Sequence, residues 1–83
     1  MIRVLFFAHL RDLAKVDHVD LSAENVTHVR DLLAVMEDIL PSQLLEFLRD
    51  ESALVSVNQQ YAEWDAELKD GAEVGILPPV SGG

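Results

Sequence analysis

Cysteine is absent from this 83-residue chain. That removes a disulfide framework, a thiolate metal site and a thiol nucleophile, and it suits a reducing compartment such as the cytoplasm. Basic residues are scarce: six Lys and Arg stand against fifteen Asp and Glu, a formal net charge of −9. A field of that sign repels polyanions, so neither nucleic acid nor an anionic membrane surface is expected as a partner. A partner with a basic docking face fits better; simple solubilisation is the plainer account of the same charge. No apolar run approaches the ~20 residues of a membrane span. Met1 leads straight into a strand-like pattern, so no signal peptide is expected. Neither a GxxxxGKS/T nor a GxGxxG phosphate loop occurs. His9, His18 and His28 show no i, i+4 pairing, which argues against a metal site.

What is present reads as a single globular domain over residues 1–83. Hydrophobic residues make up 49% and charged residues 25%, and the length allows one core. Ile2 to Ala8 is β-branched and aromatic and predicts a strand, with Ile2, Val4 and Phe6 on one face and Leu5 and Phe7 on the other. His9 to Lys15 suits one or two helical turns, and Val16 to Leu21 a second strand. Val29, Leu32, Leu33, Met36, Ile39 and Leu40 form one apolar stripe at helical spacing. They predict one long helix, with Thr27 as its N-cap and Pro41 as its stop. A short helix over Gln43 to Asp50 would bury Leu44, Phe47 and Leu48. Ala53 to Val57, a short strand near Tyr61, and Glu73 to Leu77 complete the strands, with turns at Asn58 and Asp70-Gly71. Packing is the expected role of Tyr61 and Trp64. The order predicts an α+β fold: a mixed sheet of about five strands on one long helix with short extra helices. On that sheet Val74 and Ile76 point inward. Leu77 points outward, beside Leu5 and Phe7, and the three would form an apolar interface patch.

The last six residues carry the functional signal. Pro78-Pro79 forbids helix and favours an extended chain, and Val80, Ser81, Gly82 and Gly83 have no evident way to bury themselves. Residues 78–83 therefore read as a flexible tail on a stiff base, roughly 20 Å long at about 3.3–3.6 Å per residue. Two glycines without Cβ atoms can enter a channel too narrow for side chains. With Gly83 as the end of the chain, its carboxylate would be the group delivered. A carboxylate is a poor electrophile and needs activation, most simply as an acyl-adenylate from ATP. Without a phosphate loop of its own, the chain looks like a substrate or carrier for another protein.

These residues resemble a known family. Val4-Leu5-Phe6-Phe7-Ala8 with Arg11 and Leu13, then Val57-Asn58-Gln59, then Leu68, Asp70-Gly71, Glu73-Val74 and the terminal Pro78-Pro79-Val80-Ser81-Gly82-Gly83 are similar to the MoaD-type sulfur carriers. These are the small subunits of molybdopterin synthase, with the ubiquitin-like β-grasp fold, and the likeness spans essentially the whole chain. Ile76 and Leu77 stand where that family often has aromatic residues. The resemblance implies that an ATP-dependent adenylating enzyme activates Gly83 and that sulfur replaces one oxygen to give a C-terminal thiocarboxylate. The tail would then enter the large synthase subunit, in a complex of two small and two large subunits. There it would donate sulfur to cyclic pyranopterin monophosphate for the molybdopterin dithiolene. Gly83 would carry the sulfur, Gly82 give clearance, Pro78 to Ser81 align the tail, and Arg11 pair with a partner acid. No cofactor is expected to be bound, ATP belongs to the adenylating partner, and catalytic groups belong to the large subunit. A thiamine-pathway sulfur carrier, a ubiquitin-like modifier joined to lysines through Gly83, and a plain interaction domain remain as alternatives.

Overall fold

Alternating side chains build the sheet. The computed structural model describes residues 1–79. Strand β1 (Ile2–Phe6) turns Ile2, Val4 and Phe6 to the interior, and β5 (Glu73–Leu77) does the same with Val74 and Ile76; all five are buried. The other strands are β2 (His18–Leu21), β3 (Leu54–Val57) and β4 (Gln60–Ala62). They form one mixed sheet in the order β2-β1-β5-β3-β4. The β1–β5 pair is parallel and the rest are antiparallel. The first and last strands in the chain thus lie side by side at the sheet centre.

Three helices supply the other half of the core: α1 (His9–Ala14), α2 (Asp31–Met36) and α3 (Ser42–Arg49). Leu10, Leu32, Met36, Leu44 and Leu48 are fully buried and join the inward strand residues in one cluster. The α+β class expected from the sequence is the one observed. No helix among the described residues is long and apolar enough to cross a membrane.

The single long helix is not observed. Its stripe from Val29 to Leu40 yields only the six residues of α2, and the longest helix is the eight-residue α3. At the front, the backbone is engaged elsewhere. Val29 N–H donates to Ala66 O (2.9 Å), and Leu68 N–H to Thr27 O (2.8 Å). Those long-range bonds leave no helical role for Thr27. The cap runs the other way, because Asp31 Oδ2 accepts the N–H groups of Thr27 (3.0 Å) and His28 (2.9 Å) and the Thr27 hydroxyl (3.0 Å). At the back, Glu37 and Asp38 would set two carboxylates at the negative end of the helix dipole. Pro41 would clash there with the Glu37 carbonyl. The ladder loosens, with Ile39 and Leu40 N–H both reaching Met36 O at 3.0 Å. Leu40 is turned inward and Ile39 is left 53% exposed.

Candidate functional site

The tail base grows from the central strand of the sheet. β5 has a neighbour on each side, and Val74 and Ile76 are fully buried. After Leu77 the chain passes through half-buried Pro78 to exposed Pro79. Val80, Ser81, Gly82 and Gly83, assigned above to tail alignment, clearance and sulfur carriage, lie outside the described residues.

Beside this base is the sheet face turned away from the helices. The register aligns one row across all five strands: His18 opposite Leu5, Leu5 beside Gly75, Gly75 opposite Ser56, and Ser56 opposite Tyr61. Leu5, Phe7 and Leu77 meet there as expected and line one open cavity of about 250 Å³ with Ser56, Gln59, Tyr61, Glu73 and Gly75. Phe7 is 43% exposed and Tyr61 77%. An apolar face bearing two exposed aromatic rings is the kind of surface that another protein covers.

Local backbone chemistry positions the two rings. Phe7 N–H donates to Ile76 O (3.2 Å), which ties the residue to β5 beyond the formal end of β1. Its ring lies over Gly75, where a Cβ would come within 3.1 Å of Phe7 Cε2. Tyr61 is held out by the β3–β4 hairpin, whose turn residues Asn58 and Gln59 both have positive φ, 52° and 72°. Two such residues in succession match the hairpin turn that follows the natural strand twist. Asn58 also bonds Glu73 twice, through its backbone N–H (2.7 Å) and through its side-chain oxygen (3.0 Å), which ties the hairpin to the tail strand.

Sequence reasoning did not foresee Gly75, Ser56, Gln59 or Glu73 on this face. Outward parity along β5 and β3, extended from Leu77, is the signal that finds Gly75, Glu73 and Ser56. Packing describes Trp64 correctly: it is buried and its Nε1–H donates to Ala53 O (2.9 Å). It does not describe Tyr61. Arg11 is not among the residues lining the cavity. It faces Asp17 at 3.8 Å and borders a separate depression with Lys15 and Val16.

Nearby ion pairs brace the sheet rather than line the cavity. Arg3 Nε donates to Asp20 Oδ1 (2.8 Å) across β1 and β2, and that bond holds the Asp20 carboxyl below its usual range. The terminal ammonium of Met1 pairs with Asp70, which lowers that carboxyl as well. The cavity itself offers a hydroxyl, an amide, a phenol and a carboxylate around apolar walls. Such a lining suits binding.

Comparison with known proteins agrees with this anatomy. The ThiS family profile matches residues 4–83. The molybdopterin synthase sulfur carrier subunit of Escherichia coli K12 is 38% identical over 85 residues, covering 100% of both chains. The protein of the same name from Chlamydomonas reinhardtii is 38% identical over 84 residues, covering 99% of this chain and 98% of its own. The solution structure of small archaeal modifier protein 1 from Methanosarcina acetivorans superposes with a TM-score of 0.72 at 31% identity, covering 99% of this chain and 95% of that one.

Proposed function

The chain belongs to the ThiS family, with the ubiquitin-like β-grasp fold, and we propose that it is the sulfur carrier subunit of a molybdopterin synthase. The observation that carries this reading is the end-to-end likeness to carriers of that name. It is joined to a structure whose central strand ends at the Pro78-Pro79 base of a Gly-Gly tail.

The chemistry follows from the weakness of a carboxylate as an electrophile. A Gly83 oxygen attacks the α-phosphorus of ATP on an adenylating enzyme; pyrophosphate leaves and an acyl-adenylate remains. A sulfide equivalent from a sulfur donor attacks the acyl carbon and AMP leaves, giving the thiocarboxylate. On the large subunit, that sulfur attacks an oxygen-bearing carbon of cyclic pyranopterin monophosphate; the carbon–sulfur bond forms as a carbon–oxygen bond at that carbon breaks, its oxygen leaving as water or staying on the phosphate. Water then cleaves the acyl–sulfur bond, returning the Gly83 carboxylate and leaving sulfur on the pterin. A dithiolene holds two sulfur atoms, so two loaded carriers serve each product, which suits a complex of two small and two large subunits. Gly82 gives clearance and Pro78 to Ser81 align the tail. Leu5, Phe7 and Leu77 dock the domain, and the exposed guanidinium of Arg11, only 3.8 Å from Asp17 by its Nε, has further N–H donors for a partner acid. The acids and bases belong to the large subunit, and the work is cytoplasmic.

The test is intact-mass analysis after incubation with adenylating enzyme, ATP and a sulfur donor, followed by dithiolene formation with the large subunit and precursor. Replacement of one oxygen by sulfur at Gly83, then its transfer, supports the reading. Restored dithiolene synthesis by a chain lacking Gly82 and Gly83, in a strain without the native protein, overturns it. The 31% identity to an archaeal modifier favours a second use of the same adenylate, conjugation to lysines. Isopeptides joining Gly83 to many proteins would establish it.

A further inference from the structure

Ala8, between β1 and α1, has φ 53° and ψ −136°. This is the first central position of a type II′ turn, a conformation that glycine normally supplies. Phe7 O accepts the N–H of Leu10 at 3.1 Å and closes that turn over Phe7, Ala8, His9 and Leu10. Lys15 also has positive φ, but at 66° with ψ 14° it occupies the ordinary left-handed well. Ala8 is the more strained residue, and strain of this kind persists only where its surroundings over-determine it.

The surroundings do so here. Leu10 is fully buried and pins one end of the turn in the core. Phe7 N–H is held by Ile76 O at 3.2 Å at the other end, so both backbone polar groups of Phe7 are committed. The Ala8 side chain is exposed, so no packing demands its methyl group. What Ala8 contributes is its backbone direction. The chain turns away immediately after Phe7, and the Phe7 ring is left lying over Gly75 at the cavity.

We propose that Ala8 is the positioning residue of the docking surface: its positive-φ backbone sets where the Phe7 ring is presented to the large subunit. This rests on the docking role given to Phe7 above. A residue that adopts positive φ without strain at position 8 preserves the presentation, and a residue that cannot adopt it loses the presentation.

Three forms at this position test the proposal: Ala8→Gly, Ala8→Val, and the chain assembled by chemical ligation with D-alanine there. Each is read by thermal melting, by the ring-current shift of the Gly75 Hα resonances, and by titration with the molybdopterin synthase large subunit. D-alanine and glycine should raise the melting temperature, keep the Gly75 shift, and bind at least as tightly as the native chain. Folded Ala8→Val should lose the Gly75 shift and bind about tenfold more weakly. The proposal is overturned if folded Ala8→Val keeps both shift and affinity. It is equally overturned if D-alanine or glycine abolishes either, an outcome that stands even where Ala8→Val does not fold. Phe7→Ala separates the two readings. If it binds like the native chain, the docking role of Phe7 fails, while the Gly75 shift still scores Ala8.

Discussion

The Phe7 ring occupies the space that a side chain on Gly75 would need. A Cβ there would sit 3.1 Å from Phe7 Cε2 and 2.6 Å from Ser56 Oγ. The bare backbone of the central strand is thus part of the shape of the exposed face, and two variants probe it from opposite sides.

Gly75→Ala should push both neighbours aside and cost about 1 kcal/mol, at the low end for overpacking because Ser56 can rotate toward solvent. Adding Ser56→Ala removes the closer clash and should recover part of the loss. Urea denaturation of the two single variants and the double variant checks this as a mutant cycle. Additive effects would show that the residues do not share that space.

Phe7→Asp attacks the same contact from the exposed side. The ring is 43% exposed and outside the buried cluster, so the isolated domain should change in stability by less than about 1 kcal/mol. Affinity for the large subunit should fall about tenfold or more, since a desolvated aromatic anchor is replaced by a charge. Calorimetric titration alongside urea melts separates the two effects, and unchanged binding would remove Phe7 from the interface.

Asp31 gives a pH-dependent signature. The Thr27 N–H, then the His28 N–H and the Thr27 hydroxyl, hold its carboxyl below the usual range. A depressed carboxyl contributes stability above its unfolded pKa, near pH 4, and that contribution is lost as pH falls through the lower folded value. Asp31→Ala should therefore melt earlier than the native chain at pH 7, with the gap closing as the pH is lowered below about 4. A gap that stays constant down to pH 2 would show that the carboxylate charge is not what holds the loop.

The strands were the more legible part of this chain. Glu73–Leu77 was bounded by Asp70-Gly71 on one side and Pro78-Pro79 on the other, and it forms over that span. Asn58 marked its hairpin because asparagine tolerates the positive φ found there. Leu5, Phe7 and Leu77 could be placed together by parity alone, but Tyr61 and Ser56 reached the same face through a register that no local pattern encodes. Ala8 was illegible for a different reason. Its conformation belongs to glycine, and the forces holding it come from Leu10 and Ile76, one in the core and one at the far end of the sequence. The helix boundaries failed for a third reason. Periodicity from Val29 to Leu40 reported which residues favour burial but not that the Val29 and Arg30 N–H groups were already bonded to Ala66 and Trp64.

That third failure has an energetic consequence, because the stripe contains two kinds of residue. Leu32 is fully buried, and its truncation to Ala should cost about 2–5 kcal/mol through lost transfer energy and a residual cavity. Ile39 belongs to the same periodic pattern, yet it is 53% exposed on the turn before Pro41. Ile39→Ala should change stability by no more than about 0.5 kcal/mol. One continuous helix would bury both residues and make both substitutions costly; the observed break predicts a wide gap between them. Paired urea denaturation curves measure it, and a large loss at Ile39 would return the segment from Val29 to Leu40 to a single helix.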